Sequence, residues 1–194
     1  MSSFKVEIDA KDLERLSNRL QGMNAPLIIG RALNHTGDKA KTQVIKALTA
    51  QTGLKRKIIA KAVKVKRASY TLAGGGAAYT LTTRGGDISL KYFDAKETRA
   101  GVSAAPGGRR ITFAGAFIRG GKPGQRVWIQ KLGGHVFKRA GGHRLKIIKQ
   151  VSDISIPDQM TKGATLQAFN RVASQDLSDR IEHEINYALQ TGGF

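Results

Sequence analysis

Apolar and polar residues alternate at the start of the chain, in Phe4-Lys5-Val6-Glu7-Ile8-Asp9, which is the pattern of a short half-buried strand. Asp9 is placed to cap a helix carrying Leu13, Leu16 and Leu20 on one stripe and ending near Gly22. A second, longer helix is predicted from Pro26 to about Gln51, with Gly53 as its stop and Ile29, Ala32, Leu33, Ala40, Val44 and Leu48 on its apolar stripe. Gly37 within it marks a weak point or a place where another element packs closely. Lys55 to Ala62 suits a further turn or two of helix.

From Val63 to Ile156 the helical period gives way to short alternating runs bounded by glycines. These are Val63–Lys66, Tyr70–Leu72, Tyr79–Leu81, Ile88–Leu90, Ile111–Phe113, Val127–Ile129 and Leu145–Ile147, predicting a mostly antiparallel β region of about six strands. Most of the 23 glycines fall here, and residues 73–78 and 98–108, rich in glycine and alanine, read as mobile loop tips that order against a partner. Helical spacing returns through Leu166, Phe169, Ala173, Leu177, Ile181, Ile185 and Leu189. Asp158 to Gln190 is long for one globular helix, so a break is expected at Gly163 or at Ser174-Gln175-Asp176. The whole predicts a single α+β domain over residues 1–194: a short strand and helices in 1–62, the β region in 63–156, and a C-terminal helical segment in 157–194.

Charge adds a second kind of organisation. The chain has 33 basic and 14 acidic residues, a net charge of +19. Residues 1–22 balance, residues 31–67 hold eleven bases and one acid (Asp38), and no acid occurs between Glu97 and Asp153. Residues 153–194 reverse the sign, with six acids and three bases. Such asymmetry steers a polyanion to one face, or lets the acidic end of one subunit dock on the basic side of its neighbour. The densest cluster is Lys55, Arg56, Lys57, Lys61, Lys64, Lys66 and Arg67, seven charges in thirteen residues with no acid between them. It suits a sequence-independent contact with phosphates; its plain alternative is a solvated junction that aids solubility. With 6% aromatic residues, none of them within the cluster, stacking on single strands has little support.

Few reaction classes fit. There is no nucleophile elbow, no phosphate loop and no His-Glu-x-x-His motif. The acids lie mostly near the two ends, where they do not converge as a metal-dependent nuclease requires. A glycine-histidine echo, Gly133-Gly134-His135 and Gly141-Gly142-His143, is better explained by paired strands joined by a glycine turn than by a metal site among lysines and arginines. His35 and His183 stand alone on predicted helices. No enzyme activity, metal or cofactor is therefore expected. Cysteine is absent, which excludes disulfides and thiolate zinc sites and suits assembly in a reducing cytoplasm. The chain start lacks the pattern of a secretory signal, and no apolar run approaches the roughly 20 residues of a membrane span, so a soluble protein without membrane contact is expected.

Four motifs carry a resemblance. The helix pair ends in Thr52-Gly53-Leu54-Lys55-Arg56-Lys57-Ile58-Ile59, the β region contains Gly115-Ala116-Phe117-Ile118 and then Val136-Phe137-Lys138-Arg139, and the last helix closes with Glu184-Ile185-Asn186-Tyr187-Ala188-Leu189-Gln190. In this order they resemble the phage minor tail protein Z family, whose lambda-like members are tail-completion proteins. The resemblance implies a virion protein that acts late in tail assembly, made in the host cytoplasm and placed at the head-proximal end of the tail. It also implies other tail or neck proteins as partners and a homo-oligomeric ring, commonly six-fold. In such a ring the basic blocks face DNA in the lumen, or meet the acidic helix of the adjacent subunit. Phe117, Phe137, Lys138 and Arg139, within the matching motifs, are the candidates for subunit or partner contact; ordinary core packing is the plainer explanation of the two phenylalanines. A free, sequence-independent nucleic-acid-binding protein is the competing reading.

Overall fold

The computed structural model describes residues 2–8, 24–69, 77–122, 125–141 and 146–191. The predicted helix with Leu13, Leu16 and Leu20, and the run Tyr70–Leu72, lie outside them.

Helix α1 (Ala25–Thr52) is the axis of the fold. Asn24 caps it, its side-chain oxygen accepting from the Leu27 amide at 3.2 Å, and Pro26 sits in the first turn where no amide is needed. It ends at Gly53, whose φ of +72° and amide bond to the Thr49 carbonyl (3.1 Å) form a left-handed cap. All six residues of the expected stripe are buried. Against α1 lies a three-stranded antiparallel sheet in the order β1-β3-β2, built from β1 (Ser2–Ile8), β2 (Lys64–Lys66) and β3 (Ala77–Thr83). In the central strand Ala77, Tyr79, Leu81 and Thr83 are buried by simple alternation. A short helix, α2 (Arg56–Ala62), links α1 to β2.

The C-terminal segment breaks at Gly163, one of the two expected places, where φ is +56°. Helix α3 (Ile156–Met160) precedes the break, and α4 (Gly163–Thr191) runs unbroken through Ser174-Gln175-Asp176. Ser155 caps α3 by accepting from the Asp158 amide at 3.3 Å. Helix α4 packs along α1, and Phe169 stacks on Phe4 of β1 with ring centroids 4.3 Å apart. Gln51 ties the break to α1: its amide donates to the Gln159 side chain (2.6 Å), and its oxygen accepts from the Thr165 hydroxyl (3.0 Å).

Between β3 and α3 the chain forms smaller antiparallel sheets. Strands β4 (Asp87–Ser89) and β11 (Val151–Ser155) make one pair. Strands β5 (Lys96–Thr98), β6 (Gly101–Ala104) and β7 (Ile111–Ala114) form a meander, and β8 (Ala116–Phe117), β9 (Phe137–Arg139) and β10 (Ile147–Lys149) lie in the order β10-β9-β8. The antiparallel pairing of β9 and β10, with Ile147 opposite Arg139, is the strand pair expected from the glycine-histidine echo.

The expected central region of short antiparallel strands is present, with eleven strands among the described residues when β1 is counted. Two expectations need correction. Residues 98–108 are no loop tip: β6 is the middle strand of its sheet, with Val102 and Ala104 fully buried, because small side chains let it pack tightly where a hydrophobicity count sees little. Val127-Trp128-Ile129 forms no strand beyond a single bridge from Val127 to Gly120, and its three side chains are exposed. Residues 73–76 of the other expected loop lie outside the described set, while Ala77 and Ala78 open β3. No helix among the described residues is long and apolar enough to cross a membrane.

Candidate assembly surfaces

The basic cluster of the sequence forms one edge of the body. Only Ile59 of α2 is buried, so Lys55 at its cap and Arg56, Lys57 and Lys61 along it stand in solvent. β2 is the outer strand of its sheet, and Lys64 and Lys66, two residues apart, leave from one face while Val65 turns inward. These six cations have no ion pair among the described residues. Arg67 differs. Its guanidinium bonds the Asp38 carboxylate at 2.6 Å, and the same carboxylate accepts the Tyr79 hydroxyl at 2.8 Å. Burial, helped by that bond and by the Asp38 charge, pushes the Tyr79 phenol well above its usual range, so it stays a donor. The one acid of residues 31–67 therefore serves the fold and pairs with one of the seven cluster charges, which stays exposed.

The second surface lies on the β region. Phe117 and Phe137 face each other across β8 and β9, with centroids 6.4 Å apart, and the Arg139 guanidinium sits 5.7 Å above the Phe117 ring. Both rings are half-buried, while Lys138 and Arg139 are exposed. Nearby, Glu97 accepts the Ile118 and Arg119 amides at 3.0 and 2.9 Å, and its other oxygen takes Arg126 Nε at 3.2 Å. This clamp borders a cleft of about 660 Å³ lined by Arg99, Arg119, Arg126 and Trp128. An adjoining hollow of about 270 Å³ is shared by Arg99, Phe117, Arg119, Arg126 and Arg139. Val127 (62% exposed) and Trp128 (59%) stand beside the arginines. The sequence singled out Phe117, Phe137, Lys138 and Arg139 of this surface but not Arg99, Arg119, Arg126 and Trp128, which line the cleft beside them; the acid-free run after Glu97 was the available signal.

The histidines have structural surroundings. His135 Nδ1 lies 2.8 Å from the Ser89 hydroxyl, and its ring meets Tyr92 edge-on. Desolvation, with Lys149 and Lys91 nearby, holds its pKa below the ordinary 6.5. His143 lies outside the described residues. Below pH 6.5 the unfolded chain takes up a proton that folded His135 resists, so its contribution favours folding above that pH and is lost as the pH falls through it. His135→Asn, whose amide can still meet Ser89, is expected to reduce the stability lost between about pH 7.5 and about pH 5.5 in urea unfolding. An unchanged difference between the two pH values would count against this assignment. His35 and His183, separate in sequence, line one groove between α1 and α4 with Arg31, Asp38, Arg180 and Glu184. No group of three or more metal-ligating side chains occurs among the described residues.

The α+β body thus carries two exposed basic surfaces, one purely cationic and one mixing arginine with aromatic and aliphatic side chains. The chain belongs to the family described as prophage minor tail protein Z, whose family model matches residues 10–191, and it is a phage minor tail protein. No curated protein and no solved structure matches it.

Proposed function

We propose that this protein completes the phage tail at its head-proximal end, where it assembles as a ring and prepares the tail for joining to the head. Family membership supports a place in the tail. The observation that carries the rest is the edge formed by Lys55, Arg56, Lys57, Lys61, Lys64 and Lys66: six exposed cations, unpaired among the described residues. An edge of that kind contacts a phosphate backbone without reading its sequence, as a ring through which DNA passes requires. It faces the lumen in this reading.

The test has two readouts. In a phage that encodes this chain, deletion is expected to leave filled heads and full-length tails unjoined, and adding the purified protein should restore joining. Light scattering at high salt is expected to give a mass near six copies. Short or missing tails would point to an earlier step, and normal joining without the protein would overturn the proposal. A monomer or dimer that binds duplex DNA tightly, with steep salt dependence, would favour the free nucleic-acid binder instead.

A further inference from the structure

The two basic surfaces differ in chemistry, and that difference assigns a partner to the second. The cleft beside Glu97 combines Arg99, Arg119 and Arg126 with exposed Val127, Trp128 and Ile129. DNA phosphates need only charge, whereas exposed tryptophan and aliphatic groups beside arginine are the composition of a protein interface. The side chains of Arg99 and Arg119 form no ion pair among the described residues, and the single carboxylate of the cleft, Glu97, is already engaged by three donors. The cleft thus has cationic capacity to spare.

The matching chemistry is present on the same chain. Residues 153–194 are its acidic segment, with six acids and three bases. Within α4, Asp176 is paired with Lys39 and Glu184 with Arg180, which removes two of those acids from outside use. Asp179 and Glu182 are exposed and form no ion pair among the described residues. At about 100° per residue, Asp179, Glu182, Asn186 and Leu189 fall on one helical face. All four are exposed, Leu189 at 55%. That face offers carboxylates toward the arginines and a leucine toward the Val127–Ile129 ridge.

We propose that the cleft of Arg99, Arg119 and Trp128 docks the Asp179–Leu189 face of α4 from a second copy of this chain. The two faces are different, so the contact is head-to-tail and repeats around a ring. The proposal rests on the ring reading above and specifies which surfaces build it.

The test uses charge exchange in the full-length protein. R99E/R119E and D179K/E182K are each expected to weaken self-association at least about tenfold, since like charges then face each other. An equal mixture should associate again, because the acidic cleft of the first accepts the basic helix of the second. As the chain has no cysteine, R99C and E182C add an independent readout: mixed single variants should form one disulfide-linked dimer, and the double variant a ladder. Association that R99E/R119E leaves unchanged would place the interface elsewhere and overturn the proposal while leaving a ring standing. A wild-type chain that stays monomeric and gives no R99C–E182C cross-link would overturn it too. A cross-linked ladder without a closed mass would keep this interface and remove the ring.

Discussion

Gly37→Ala is expected to destabilise the protein by about 3 kcal/mol, although alanine is the better helix former by about 1 kcal/mol. A Cβ at position 37 would lie 2.2 Å from Cγ of the Tyr79 ring and within 2.5 Å of both Cδ atoms. The ring has nowhere to withdraw. Tyr79 is fully buried in the central strand of the sheet, and its hydroxyl is held by Asp38, the next residue along α1. Relief would have to come from moving α1 away from β3, which loosens the stripe that forms the core. Urea unfolding should show a lower midpoint with an unchanged slope. Tyr79→Leu, costly alone, should cost distinctly less in the Gly37→Ala background, since the smaller side chain relieves the clash. A Gly37→Ala protein as stable as the wild type would refute the close approach.

How much of this was legible varied with the physical signal each element leaves. The limits of α1 followed from a proline, a glycine and an apolar stripe sustained over many turns, and the close approach at Gly37 was one of two readings open there. The break at Gly163 was foreseen, but Ser174-Gln175-Asp176 looked equally breakable; in the structure Ser174 returns its hydroxyl to the Asn170 carbonyl (2.8 Å) and the helix continues. Strand β6 was missed because Val102-Ser103-Ala104 has too little side-chain mass to stand out, although it packs fully. Val127-Trp128-Ile129 failed in the opposite direction: its apolar side chains meet solvent, and strand-like composition alone supplied no pairing partner. The basic edge was legible as a cluster, but not the engagement of Arg67 by Asp38, which lies twenty-nine residues away in sequence. The arginine cleft was harder still. Arg99, Arg119 and Arg126 converge only because β6 pairs with β7 and Glu97 draws in the backbone after β8.

That role of Glu97 supports the second large effect. Glu97→Gln is expected to cost about 2 kcal/mol, most of it local to the β region. The carboxylate meets donors on both oxygens: two backbone amides on one and Arg126 Nε on the other. A glutamine amide can accept on one side only and must present its NH2 group to a donor on the other, leaving a half-buried contact unsatisfied. It also removes the single negative charge from a cleft lined by Arg99, Arg119 and Arg126, so the guanidiniums repel without compensation. Amide exchange at Ile118 and Arg119 should quicken about thirtyfold, the equivalent of that free energy, while amides in the middle of α1 change far less. Because the proposed subunit contact uses Arg119 and Trp128 of this cleft, self-association should weaken in parallel even though residue 97 itself faces inward. Protection lost evenly in α1 and at Ile118 and Arg119 would make Glu97 a general support of the fold, and unchanged protection at those two amides would remove the clamp altogether.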